Sequence, residues 1–233
     1  MKKVAIIQSN YIPWKGYFDF IHDVDEFIFL DNVQFTTRDW RTRNSIKTTD
    51  GLHWLTVPAG ADRNRLICEV ILTDHSWQAK HWRTIKQYYS KAPYFELYKD
   101  IFEDFYMCRT WNSLSEMNQY LTRLIAGKIL KIETIFKDAK EYNPEGKKFD
   151  LIADLVVKSA GNIYVSGPAA KNYMNEFDFT RRTSAKLIWK DYSGYPEYPQ
   201  LYPPFEHCVS VLDLLFNTGE DASHYIWGWR NAS

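Results

Sequence analysis

Apolar residues in this chain fall into short runs and spaced stripes, each broken by a polar cluster. Residues 4–7 form an unbroken apolar run that stops at Gln8, Ser9 and Asn10. That is the pattern of a strand covered on both faces. Pro13 and Gly16 mark a loop, and Phe18, Ile21 and Val24 then recur at helical spacing over residues 17–24. Residues 27–30 repeat the buried run and end at Asp31. Strand, loop, helix and strand in this length make a βαβ unit. Residues 32–47 are polar, basic and aromatic without a period, which predicts a long loop of the kind that often carries function. Residues 53–57 and 66–73 read as strands, paired with each other. Residues 76–90, 95–107 and 113–130 read as helices, the last with Ser113 as N-cap and Glu116 completing a capping box.

Three helices in succession predict a helical insertion over about residues 75–130. After it, residues 134–137 read as a strand and residues 147–160 as an amphipathic helix stopped at Gly161. Residues 162–165 are again a strand, and Ser166-Gly167-Pro168 leads into another helix. Residues 185–189 form a late strand and residues 209–216 a last core helix. The fold class is therefore α/β: a mainly parallel open sheet with a Rossmann- or nucleotidyltransferase-like βαβ start and a helical insertion in the middle. No repeat or linker divides the chain, which predicts one domain over residues 1–233.

Composition narrows the chemistry. Lysine and arginine (29) balance aspartate and glutamate (29), so the basic surplus of a nucleic-acid binder is missing. The three cysteines, Cys68, Cys108 and Cys208, form no C-x-x-C pair, which speaks against a disulfide framework and reads as buried, inert thiols. The six histidines fall at no metal-ligand spacing, so no metal site is expected. The apolar run near the N-terminus is too short for a signal peptide, and no stretch is long enough to span a bilayer. A cytoplasmic protein is expected.

Four segments carry candidate chemistry. The first runs from Gln8 through Tyr11 to Gly16 and Tyr17, at the carboxyl end of the first strand, where open parallel sheets bind ligands. A helix N-terminus there suits phosphate, and Gly16 would admit close backbone approach. In nucleotidyltransferase-like folds an H-x-G-H box occupies this place; here Lys15-Gly16-Tyr17 stands instead, without its histidines. The second segment begins at Asp31, at the next strand end, a candidate base or hydroxyl acceptor, with Gln34 beside it. The third holds Arg38, Trp40, Arg43 and Asn44: arginine forks for a diphosphate and an indole for a ring. The fourth is Ser166, Gly167 and Lys171, a small-residue turn fit for a second anion cradle. His53, just past the basic segment, is the best-placed histidine for acid–base work.

At these residues the chain resembles the WbqC-like family. Gln8, Tyr11, Pro13, Gly16 and Tyr17 match its opening pattern, with Ser9 where the family usually has proline. Asp31, Gln34, Phe35, Arg38, Trp40, Arg43, Asn44, His53 and Trp54 match the next block. Tyr164, Ser166, Gly167 and Tyr173 fit a later one, and Tyr198, Pro199, Gln200, Phe205, Ser210, Asp213, Leu214, Asn217 and Gly219 the closing one. The resemblance implies a place in O-antigen-type polysaccharide synthesis and transfer of a glycine-type acyl or aminoacyl group to an amino sugar. In that reading Asp31 and His53 are the catalytic candidates, and the partner is a small molecule, a nucleotide-linked amino sugar. ATP and magnesium are needed only if the carboxyl is activated in place; a thioester donor needs neither. A non-catalytic module that binds a nucleotide sugar or a partner enzyme is the alternative.

Overall fold

The computed structural model describes residues 1–231. The chain opens with β1 (Lys3–Ile7), α1 (Lys15–His22) and β2 (Glu26–Phe29), then forms the hairpin β3 (Arg43–Thr48) and β4 (Gly51–Thr56). Three helices follow: α2 (Ser76–Tyr89), α3 (Phe95–Met107) and α4 (Leu114–Arg123). They are succeeded by β5 (Ile135–Asp138), α5 (Phe149–Lys158), β6 (Ile163–Ser166), α6 (Glu176–Thr183), β7 (Lys186–Trp189) and α7 (Val211–Thr218).

Five strands form one parallel sheet in the order β5-β2-β1-β6-β7. Counted along the chain, that is the 3-2-1-4-5 arrangement of doubly wound folds, with the order reversing between β1 and β6. Period-two alternation explains why the strands read as continuous apolar runs. Ala5, Phe27, Phe29 and Val165 face a core shared with α1, the three middle helices and α7. Val4, Ile6, Ile28, Leu30, Tyr164 and Leu187 face a second core under α5 and α6. Both faces are covered, so neither needs polar positions. The helical insertion lies where the pattern placed it, in the crossover from β2 to β5. Ser113 caps α4 by accepting the Glu116 N–H at 3.3 Å.

Three expectations are corrected. Residues 32–47 are not all loop: residues 43–48 form β3, paired with β4 through Ser45–Trp54 and Lys47–Leu52. The polar residues of β3 hid the strand. Ser45 and Lys47 are buried by a distant segment, since the Ser210 N–H donates to the Ser45 carbonyl and the Lys47 ammonium to the Pro204 carbonyl. Residues 66–73 do not pair with β4. A 3-10 turn (Ile67–Glu69) interrupts them, and the N–H groups of Ile67 and Cys68 donate to the carbonyls of Val33 and Asp31. The cysteines are not buried as a set, for Cys108 and Cys208 are exposed. Among the described residues, no helix is long and apolar enough to cross a membrane.

One buried relay ties the first loop to the insertion. The Tyr11 hydroxyl lies 2.7 Å from both the Tyr106 hydroxyl and His81 Nδ1. Burial pulls His81 down to about 4. The unfolded chain takes up the same proton near 6.5. Stability is therefore complete above pH 6.5 and lost as pH falls from there toward 4. The expected loss is roughly 3 kcal/mol. Urea unfolding across this interval should show the loss in the wild type and a much flatter profile in His81→Gln.

Candidate ligand site at the carboxyl edge of the sheet

Asp31 leaves the end of β2 fully buried, and both its oxygens are engaged. Oδ1 accepts the Ser9 N–H at 2.9 Å; Oδ2 accepts Ser115 Oγ at 2.5 Å and Gln119 Nε2 at 3.1 Å. Gln119 Nε2 also donates to Asp138 at the end of β5, 3.0 Å away. This carboxylate therefore aligns the ends of β1 and β2 under α4. Across the same edge the Tyr17 hydroxyl donates to the Gln8 carbonyl at 3.0 Å. The charges of Asp31 and Arg41 both act on the Tyr17 phenol, which burial holds well above its ordinary range. Arg41 itself pairs with Asp39, its Nη1 3.7 Å from the Asp39 carboxylate.

Several buried polar atoms here have no protein partner: Ser9 Oγ, Asn10 Oδ1, Arg41 Nε, Asn118 Oδ1 and Thr122 Oγ1. Asn118 is fixed by its other end, which donates to the Arg41 carbonyl at 2.9 Å. Buried polar atoms are nearly always bonded to protein, water or ligand. Their concentration at the carboxyl ends of β1 and β2 marks a place built for further polar atoms.

Beside it opens a cleft of about 270 Å³ between Trp14 and Trp40, lined also by Asn10, Pro13, Asn44 and Cys208. Its walls come from three remote segments. The Tyr11 N–H donates to the Trp40 carbonyl at 2.9 Å, Asn44 Nδ2 to the Ile12 carbonyl at 2.8 Å, and the Val211 N–H to the Pro13 carbonyl at 2.9 Å. Gly16 serves the Trp14 indole rather than a phosphate: a Cβ there would stand 2.3 Å from the ring. At the rim, Trp40 and Trp54 are 48% and 43% exposed with ring centroids 5.8 Å apart. The Arg43 guanidinium lies 4.6 Å over Trp54.

Lys15, the first residue of α1, is 2% exposed. Its ammonium sits 5.1, 5.2 and 5.7 Å from the rings of Tyr195, Tyr198 and Phe205. It has one long hydrogen bond, 3.4 Å to the Pro196 carbonyl. Burial lowers it to about 8, opposed by the Cys208 thiol and Asp213.

The sequence candidates therefore divide. Gln8, Tyr17, Asp31, Trp40, Arg43 and Asn44 gather at this edge. Tyr11 is a core residue of the His81 relay, and Asn44 is a buried brace. Arg38 is exposed with a left-handed backbone (φ 60°), and Gln34 is exposed, donating to the Arg63 carbonyl at 3.3 Å. His53 is exposed on β4 beside Tyr88, whereas Asp31 is buried. Ser166 is buried at the end of β6, Gly167 opens a 3-10 turn, and Lys171 stands 5.6 Å over Trp189. The sequence reading passed over Asn10, Trp14, Lys15, Arg41 and Cys208. Lys15 and Arg41 lie inside the quoted motifs, but nothing local distinguishes an inward side chain from an outward one.

The fold and the indole-walled cleft define a doubly wound α/β protein with a candidate ligand site at the carboxyl edge of its sheet. The WbqC-like protein family matches residues 8–225, and the chain belongs to that family. It is 42% identical over 228 residues to the uncharacterized protein Rv1507c of Mycobacterium tuberculosis, covering 97% of this chain and 98% of that protein. No solved structure matches.

Replacing Asp31 with Asn sets an amide N–H₂ against the Gln119 donor and removes charge from three hydrogen bonds. Asp31→Asn is expected to cost about 2 kcal/mol, read as a lower urea midpoint at unchanged slope.

Proposed function

We propose that this chain is a transferase of O-antigen-type surface-polysaccharide synthesis. It moves a glycine-type acyl or aminoacyl group onto an amino sugar carried on a nucleotide. The observation that carries the reading is the cleft between Trp14 and Trp40, continuous with the Trp54–Arg43 stack and floored by the unpartnered Asn10 Oδ1. Indole faces suit a base or sugar ring, and an arginine at the rim suits a phosphate. Family membership agrees with this reading.

In the reaction the sugar amine attacks the carbonyl carbon of the activated donor. The new C–N bond replaces the bond to the thiolate or phosphate that leaves, and the amine proton passes to a base. Asp31, with both oxygens hydrogen-bonded to the protein, acts here as a positioning residue. We assign the base to Lys15, which directly follows the cleft wall Trp14 in the chain and which burial lowers to about 8. A base must be unprotonated, so kcat/KM is expected to rise with pH through about 8 and to level off above it. Lys15→Met should abolish that rise while leaving ligand binding intact. The alternative, a binding module without catalysis, has in its favour that His53 and Asp31 are not brought together. It predicts ligand binding with no turnover at any pH.

The ligand is tested by thermal shift against nucleotide sugars, free nucleotides and coenzyme A, with and without magnesium. Saturation at about 100 times Kd stabilises by roughly 2.7 kcal/mol. A shift with a nucleotide sugar, lost in Trp40→Ala, is the expected result. A shift unaffected by Trp40→Ala would place the ligand elsewhere.

A further inference from the structure

A larger cavity, about 440 Å³, lies at the other end of α1. Its floor is Val165 of β6 and Ile188 of β7, its walls include Trp189 and Trp229, and its charged lining includes Lys190 and Arg230. The cleft described above begins at Trp14, one residue before α1; this cavity includes Asp23, one residue after it. A helix of eight residues spans about 12 Å, so the two cavities are separate places.

Two cations lining the larger cavity, Lys190 and Arg230, are already matched; the exposed Lys3 and Asp191 complete its charged lining. Lys190 Nζ lies 2.8 Å from Asp19 and 2.5 Å from Asp23. Arg230 Nη1 donates to Asp19 Oδ1 at 2.9 Å, and the Tyr195 hydroxyl to Asp19 Oδ2 at 2.5 Å. A phosphate or carboxylate ligand would have to displace Asp19 or Asp23 from these cations. A metal ion at Asp19, His22 and Asp23, whose ligand atoms lie within 4.8 Å of one another, would have to displace the cations. A neutral polyol need displace neither. Its hydroxyls donate to carboxylates and accept from ammonium or guanidinium groups held in place, while the C–H face of its ring packs on indole. The volume falls in the range of small-ligand sites.

We propose that this cavity binds a neutral sugar ring, with Trp189 and Trp229 as its walls and the Asp23–Lys190–Arg230 cluster as its hydroxyl-recognition edge. This binding stands independently of the transferase reading. The loop after β7 links the two cavities. Tyr192 packs on Trp14 at 5.3 Å, whereas Ser193 and Gly194 line the larger cavity, and Gly194 has no room for a Cβ against Trp229.

The test titrates the purified full chain with neutral hexoses and N-acetylhexosamines, followed by tryptophan fluorescence and by saturation-transfer NMR. Inorganic phosphate serves as the anionic probe. The expected result is saturable binding of at least one sugar with Kd on the order of 1 mM. Trp189→Ala should weaken it by about tenfold or more, the size of a lost ring contact. Ser193→Trp should abolish it by filling the cavity from an exposed position, a change that leaves the core alone. Trp40→Ala should leave it unchanged. Sugar binding lost in Trp40→Ala but indifferent to Ser193→Trp would assign it to the first cleft and overturn the proposal. Saturable phosphate binding abolished by Ser193→Trp would overturn it too, as would no sugar binding by a folded protein. Because the nucleotide-sugar shift is read through Trp40, either proposal can fail while the other holds.

Discussion

A carboxylate taken out of water is tolerated only when donors replace the water it has lost, and this fold meets that demand at three fully buried aspartates. Asp31 joins the ends of β1 and β2 to α4. Asp19 joins α1 to the residue after β7 and to the tail through Lys190 and Arg230. Asp213 joins α7 to α2 and to the segment before α7, accepting from Tyr89 and Tyr198 at 2.7 Å and from Gln200 at 2.9 Å. All three are inaccessible to solvent. Each closes a junction between segments far apart in sequence, and each would leave a buried charge uncompensated if one partner were removed. The apolar cores decide that the layers stack; these carboxylates decide how their ends meet.

The pair of clefts follows from that arrangement. α1 carries Asp19 on its inner side and presents Trp14 and Lys15 at one end and Asp23 at the other. Lys190 and Arg230 hold the loop after β7 and the tail against α1. The loop then sends Tyr192 back onto Trp14 and the Tyr195 ring over Lys15. Tyr195 is thus engaged twice, its hydroxyl on Asp19 and its face on the Lys15 ammonium, so the charge network of one cavity touches the buried lysine of the other.

How much of this could be read from the chain alone depends on the range of the interaction. The sheet strands were legible because both faces are apolar, and residues 4–7 or 27–30 admit little else. The helices of the insertion were legible from periodicity and from the Ser113 cap. β3 was not, because its pattern of Asn44, Ser45, Lys47 and Thr48 looks solvated until residues 204–211 cover it. The candidate site was half legible. The motif from Gln8 to Tyr17 and the block from Asp31 to Asn44 do meet at the strand ends, but their side chains do not all face the space between. Tyr11 and Asn44 turn into structure, and Arg38 and Gln34 stay at the surface. The third wall, around Cys208, lies more than 160 residues from the others and leaves no local trace.

Lys15 shows why the cleft is more than a gap between indoles. A guanidinium cannot lose its proton in a protein, whereas an ammonium responds to burial. Three aromatic faces supply attraction for the charged form without supplying acceptors, and the lone carbonyl contact is long. Placed in a full set of acceptors, as Lys190 is with two carboxylates, the same residue type serves as a fixed cation. Two of the three buried lysines among the described residues thus stand in opposite settings about one helix, one held by charge and one left poorly solvated beside a ligand-sized cleft. The one held by two carboxylates organises the molecule, while burial lowers the other to about 8 beside the cleft.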